Sequence, residues 1–569
     1  MLIYFMLSID QVLGQGMTQN LPVINEYIRR EQLKSNIDPR FSLINRPVSL
    51  QSLNNFSTNQ DSSQNWLLPK DGFSVSPMVT KIIHNSNRPY GWGLGIAQPS
   101  VGFQLYQNIG VGFNSKRFSF QFAPEFLINQ NKAFDGFPDQ FNERITRERF
   151  FYWNNGDFPE RFGTGNVLKA WWGQSSIAVN VWKLALGMST ENIWWGPGQF
   201  NSLSYSNNAQ GFYHVKLQTK EPIKTPIGNL EFNILSGRID DSGIHPSQSE
   251  NLNRAFFREF SGDWKYMNSL LFSYNPKWIR GLHLGFIRTN QQYSQFMDGS
   301  IGDIFPVFNA VQKVNFGFDR DEEGRDQQIV LFGKFLIQKA KAEFYFEYGR
   351  RDHAFNWREA ILNPEHARAY LFGFNKLVEL AHPKYNLQLR GELVHQQESV
   401  NRYIRYPGLR GNQTWHTHGR ARGFTNQGQP LGVGIGVGSN VQTLEIAFVE
   451  GFNKRGIVLE RLENHQDFYY RAFGQQQKVK PWIDLSLGFL WDQKWENFIL
   501  GSKVQLINAN NYQWQLSDDR QEAFSKGFNL FSVYSQVHLI YLFQKKIKNI
   551  LTSCSVFALT NVIALNIYQ

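Results

Sequence analysis

Apolar residues along this 569-residue chain recur at every second position, in segment after segment. Leu387, Leu389, Gly391 and Leu393 interleave with Gln388, Arg390, Glu392 and Val394. On a strand this places a mostly apolar face opposite a charged one. The same period appears in Ile483, Leu485, Leu487, Phe489 and Trp491, in Val537, Leu539, Tyr541 and Phe543, and in the runs starting at Phe118, Ile177, Leu230, Leu282, Phe344 and Leu444. Clusters such as NNGDFP, GIHPSQSE and NANN lie between the runs and read as turns and loops. The pattern predicts an all-β fold built on a large antiparallel sheet with one apolar and one polar face. A soluble sandwich uses such strands in one way, and a transmembrane barrel with a polar interior in another.

Composition favours the barrel. The aromatic fraction is 15%, with 49 Phe, 22 Tyr and 16 Trp, while 18% of residues are charged. A mean hydropathy of −0.41 excludes a bundle of membrane helices, and the body of the chain has no apolar run long enough to span as one. Trp and Tyr suit the two interfaces of a bilayer, as in the girdles of outer-membrane barrels. The net charge of +11 raises the question of an anionic partner. Lys and Arg read as scattered through the alternating segments, which argues against nucleic acid and leaves phosphate-bearing or acidic glycans as the sharper reading. Cys554 is the sole cysteine, so no internal disulfide, Cys-based zinc site or N-terminal cysteine lipid anchor is expected.

Four regions are expected. Residues 1–16 resemble an atypical export signal, with an apolar run from Leu2 to Ile9 and small residues at Gly14 and Gly16. Residues 17–70 form a helical and linker region, because Ile24, Tyr27, Ile28 and Glu31 fall at helical spacing ahead of the polar stretch SLQSLNNFSTNQDSSQN. In an exported barrel this region sits on the periplasmic side or enters the lumen. Residues 71–543 form the barrel, and 544–569 an anomalous apolar tail beyond the closing aromatic strand. In PLGVGIGVGSN, Gly432, Gly434, Gly436 and Gly438 alternate with Val433, Ile435 and Val437. Two readings stand: a lipid-facing valine strand whose glycine face leaves luminal space, or a bent strand at a barrel corner.

Catalytic and cofactor motifs are absent: there is no G-x-S-x-G elbow, H-E-x-x-H helix or phosphate-binding P-loop. Asp319, Asp321, Glu323 and Gly324 begin like a calcium loop, but its twelfth position is Val330 rather than Glu. His416 and His418 are two apart without supporting carboxylates or Cys, and read as an ordinary polar pair rather than metal ligands. No enzyme activity, cofactor or metal is expected.

The most specific strings are rich in Trp, Asn, Gly and Pro. STENIWWGPGQFNSLSYSNNAQGFYHVKLQTKEPIKTPIGNLEF, beginning at Ser189, resembles the Wzi capsule-assembly family, especially its Bacteroidetes versions. GQSS from Gly173, EFYFEYGRRDHAFN from Glu343, NPEHARAYLFGFNKL from Asn363 and GFTNQGQPLGVGIGVGSN from Gly423 fit the same family in the same order. The resemblance implies an outer-membrane barrel of about eighteen strands with a helical N-terminal portion on the periplasmic side. It further implies a lectin-like, non-enzymatic role in holding capsular polysaccharide at the cell surface. Capsular or exopolysaccharide and outer-membrane lipid are then the expected partners. Sugars are recognised by flat aromatic faces and planar polar side chains, a vocabulary offered by Trp194, Trp195, Asn207, Asn208, Arg390 and Glu392. The alternative for the Trp pair is to anchor a loop, and for Arg390 with Glu392 to form a luminal salt-bridge ladder. A porin-like transport channel is the competing function, and an inward-folded plug separates it from glycan retention.

Overall fold

A computed structural model describes residues 21–48, 53, 56–57, 72–260, 262–311, 325–352, 357–382, 384–399, 414–474, 479–516 and 527–543. Its main sheet holds 23 strand segments. Five long strands, 72–85, 102–114, 118–129, 167–181 and 214–225, are each interrupted once, and the two pieces of each pair with a common neighbouring strand. Pro77, Pro124 and Pro222 sit at three of these breaks, where a residue without an N–H cannot continue the ladder. Counted as continuous strands the wall therefore has 18, all antiparallel, in agreement with the expected fold class. Leu530–Tyr541 pairs with Met78–Asn85, Val537 beside Ile82, so the last strand meets the first and the barrel closes. Closure satisfies the backbone groups that a free edge would leave bare in lipid.

Period-two alternation sorts the side chains. In Ala342–Arg351, Phe344 and Phe346 are exposed while Glu343, Glu347 and Arg351 are fully buried. In Ile483–Trp495, Leu485, Leu487, Phe489 and Trp491 face out and Asp484 and Asp492 face in. An apolar exterior around a charged interior is the arrangement of a barrel that spans a membrane with its strands. Among the described residues no helix is long and apolar enough to cross a membrane.

The two ends differ. Eight short turns, such as 182–183 and 496–497, join strands at one end, and both termini of the barrel lie there. Nine longer connections, such as 130–166 and 396–439, join strands at the other. In barrels of this class the short turns are periplasmic and the long loops extracellular.

The lumen is filled from both ends. From the turn end enters the helix Pro22–Leu33, opened by a proline at its first turn and buried along most of its length. Arg29 pairs with Glu343, and Arg30 donates to Gln388 at 3.2 Å and to the Gly451 carbonyl at 2.9 Å. Glu26 meets Lys454 at 3.0 Å and Arg390 at 3.1 Å. The helix therefore lies inside the turn-end mouth of the barrel, and its polar face is matched by wall charges.

From the loop end enters PLGVGIGVGSN, and here both sequence readings are corrected. Residues 431–439 form no barrel strand; Val433, Ile435 and Val437 are buried inside the barrel. The glycines allow close approach: a Cβ on Gly432 would lie 2.0 Å from the Leu203 carbonyl, and one on Gly434 2.0 Å from the Asn208 side chain. Gly438 adopts φ +57°, and a Cβ there would lie 2.1 Å from the Asp467 carboxylate. Gly438→Val, which adds a branched side chain in left-handed backbone, is expected to lower stability by about 2–3 kcal/mol, read as a lower unfolding temperature of the gel-shifted barrel. A shift under one degree would show that this loop is free to move aside. The first sixteen residues, nearly all of the 49–71 linker, most of DRDEEGRD and the tail from 544 lie outside the described residues.

Candidate functional site

The Trp pair sits where the two plugs meet. Trp194 and Trp195 form a two-residue antiparallel ladder with Asn45 and Arg46, on the chain just beyond the N-terminal helix. Both indoles are buried, at 6% and 0% exposure, so neither presents a free face to a polymer. The Arg46 guanidinium lies 4.4 Å over the Trp194 ring and donates to the Gly196 and Gly198 carbonyls at 3.0 Å each. Trp195 packs edge-on to Tyr205 at 4.9 Å.

A chain segment that crosses a lumen must satisfy its own backbone, and two wall carboxylates do this for WWGPGQFNSL. Glu392 accepts from the N–H groups of Gln199 at 2.8 Å and Phe200 at 3.1 Å, from Asn201 Nδ2 at 3.1 Å, and from the Tyr345 hydroxyl at 2.9 Å. Glu347 accepts from Leu203 N–H at 2.7 Å and Gly198 N–H at 3.3 Å. Arg390 meets Glu445 at 2.6 Å and Glu26 at 3.1 Å, with Phe200 stacked 4.6 Å from its guanidinium. The expected Arg390–Glu392 ladder is therefore corrected: the residue registered against Arg390 is Glu445, and Glu392 binds loop backbone instead. Asn208 accepts from Gly93 N–H at 3.1 Å and donates to the Pro430 carbonyl at 2.9 Å, while the Asn207 carbonyl accepts from Gly95 N–H at 2.7 Å.

All six sequence candidates thus converge on the plug. Trp194, Asn207 and Arg390 line one cavity of about 280 Å³, together with Arg46, Phe200 and Trp92. Sequence reasoning missed Glu343 and Glu347, although the inward positions of EFYFEYGRR carry them and their alternation with Phe344 and Phe346 was a usable signal. His416 and His418 do not combine: His418 Nδ1 accepts from the N–H groups of Arg420 and Ala421 at 3.2 and 3.0 Å. Among the described residues no cluster of three or more metal-ligating side chains occurs.

A second cavity, about 200 Å³, lies among the loops. It adjoins the first across the Tyr90–Trp92 segment, which borders both. Gly91 in that segment has φ +105° and passes the Tyr534 ring so closely that a Cβ would sit 3.0 Å from it. Helix Glu143–Gly156 supplies Arg149 and Trp153, with its N-terminus capped by Asn142, whose side chain accepts from Ile145 N–H. The remaining wall includes Arg88, Trp482, Tyr512 and Asn464. Arg149 lies 3.2 Å over the Trp153 ring and 3.8 Å from Glu160. Burial pulls its pKa down to about 9, with Glu160 opposing the fall, so it remains charged at neutral pH. Burial also pushes His465 well below its usual value, helped by Arg149, His416 and Arg88, leaving a neutral imidazole. Among the described residues Arg88 Nε, Arg149 Nε and Asn464 Nδ2 have no hydrogen-bond partner, while the terminal nitrogen of Arg88 pairs with Asp484 at 2.5 Å. Aromatic walls and spare donors together suit a ligand with apolar C–H faces and many oxygens.

Fold and interior together define an outer-membrane β-barrel whose lumen is occupied from both ends. The chain belongs to the family described as capsule assembly protein Wzi, whose model matches residues 99–496. Among solved structures it is similar to Escherichia coli Wzi, described as an outer-membrane protein involved in group 1 capsule assembly and a carbohydrate-binding β-barrel. The TM-score is 0.58 at 15% identity, covering 93% of this chain and 99% of that one, a likeness that establishes the shared fold. Pseudomonas aeruginosa OccK7 and OccK2, the latter with glucuronate, align at TM-scores of 0.38 and 0.37 and 9% and 8% identity. They cover 82% and 84% of this chain and 98% and 100% of theirs, and overlap this low carries no argument. No curated protein matches the chain in sequence.

Proposed function

We propose that this barrel holds a capsular or surface polysaccharide at its loop end, by binding alone and without catalysis. The carrying observation is the loop-end cavity, where Trp153, Trp482 and Tyr512 stand beside the spare donors of Arg88, Arg149 and Asn464. Membership of the capsule-assembly family supports the reading. The six residues around the Trp pair then act indirectly, by holding the plug on which the cavity is built: Asn208, Pro430 and Gly434 belong to both. Transport through an open lumen is the weaker reading, because helix Pro22–Leu33 and the two inward loops occupy the space a channel needs.

Titration of the purified protein with polysaccharide extracted from the cells that make it provides the test. Arg149→Lys keeps the charge over Trp153 and removes the planar guanidinium donors. Loss of one charge-assisted hydrogen bond, about 1.5 kcal/mol, should weaken binding about tenfold while the gel-shifted fold persists. Unchanged affinity would remove the cavity from the reading. A large steady conductance of the wild-type protein in planar bilayers would replace retention with transport.

A further inference from the structure

Lys and Arg are scattered through the strands, as read from sequence, but the two ends of the barrel differ in charge. The eight short turns together contain eight Lys and Arg and a single acidic residue, Glu496. The nine long loops contain 22 Lys and Arg against 26 Asp and Glu. Of the two ends, the turn end is therefore the positively charged one, and the loop end is slightly acidic.

Two of the turn cations are spoken for: Lys183 meets Glu221 at 3.0 Å, and Lys341 pairs with Glu379. Lys116, Arg117, Lys277, Arg280, Lys339 and Lys384 are exposed, and among the described residues none lies within 4 Å of a carboxylate, although Arg280 is near enough to Asp38 to help lower its pKa. Four of the turn cations, Lys183, Lys277, Arg280 and Lys384, share their turns with exposed aromatic rings, and the turns of Lys116, Arg117 and Lys339 carry none. Trp182 and Trp278 are 73% and 74% exposed, and Tyr385 adjoins Lys384. An indole left this bare on a soluble surface is costly, whereas at the level of lipid headgroups it is favourable. Lys and Arg beside it reach the phosphate layer while their methylene stems stay in apolar surroundings.

We infer that the turn-end rim is a collar for anionic phospholipid headgroups, seated on the periplasmic leaflet. The ligand class is a glycerophospholipid with net negative charge, held by several cations at once with tryptophan at the glycerol level. Its location opposite the loop-end cavity makes it independent of glycan binding.

The test is native mass spectrometry of the purified barrel with dioleoylphosphatidylglycerol or dioleoylphosphatidylcholine. Each cation close to an anionic lipid surface adds several-fold to affinity. At low salt the wild-type protein should retain phosphatidylglycerol at least tenfold more tightly than phosphatidylcholine. In K116Q/R117Q/K277Q/R280Q/K339Q/K384Q the preference should fall below twofold. Equal retention of the two lipids by the wild-type protein, or an undiminished preference in the variant, would overturn the collar. Should the variant not fold, the wild-type preference is measured from 50 to 500 mM salt: loss across that range supports the collar, and a flat response sinks it. Binding of an acidic polysaccharide or protein at this rim without lipid preference would also count against it.

Discussion

Replacing Trp194 and Trp195 together with alanine is expected to cause the largest loss of stability of any two-residue change in the lumen. Each buried ring contributes about 3–5 kcal/mol by the usual cost of aromatic truncation. The pair also carries the only ladder that joins the N-terminal segment to the loop-end plug among the described residues. The variant should lose its heat-modifiable gel shift at a markedly lower temperature and retain less polysaccharide, because the loop that places Asn207 and Asn208 loses its anchor. Normal stability with lost retention would instead make the indoles direct sugar contacts. Normal stability with normal retention would leave WWGPG without a role.

The second large effect is expected at Glu26. Its carboxylate meets Arg390, Lys454 and Arg30. Burial by itself would raise its pKa, but these cations outweigh burial and hold it well below the usual carboxylate range. Glu26→Ala leaves buried cations short of a partner, which costs about 3–5 kcal/mol where no other acid compensates. Glu445 and Asp492 remain near Lys454, at 3.6 and 3.3 Å, so the lower end of that range is expected. The loss falls on the contact between helix and wall, and the barrel strands keep their own ladders. The expected result is a folded barrel, still closed by its two inward loops, in which helix Pro22–Leu33 is cut by protease faster than in the wild-type protein. An unchanged cleavage rate would mean that the helix is held by its apolar face, through Ile24 and Ile28, rather than by charge.

Alternation alone makes the barrel wall legible. Leu485, Leu487, Phe489 and Trp491 can share a face only on a strand, and a strand with Asp484 and Asp492 on its other face needs a polar interior. Helical spacing in INEYIRREQL likewise marks the helix Pro22–Leu33. Both periods are local properties, set by backbone geometry over a few residues.

What the period could not say is which partner each inward side chain takes. Arg390 and Glu392 are two apart and share a face, yet Arg390 meets Glu445 across the sheet and Glu392 meets the backbone of a loop nearly two hundred residues away in sequence. PLGVGIGVGSN carries a strand-like alternation and is a luminal loop, because its glycines pack against Leu203 and Asn208 rather than along a neighbouring strand. The loop-end cavity draws Arg88, Arg149, Asn464 and Tyr512 from four separate connections, and the cationic rim draws its charges from turns spread from Lys116 to Lys384. Sequence determined the faces of the strands, since those depend on near neighbours. Closure of 18 strands decided the plug, the cavity and the rim, because only closure brings distant turns and loops to the same end.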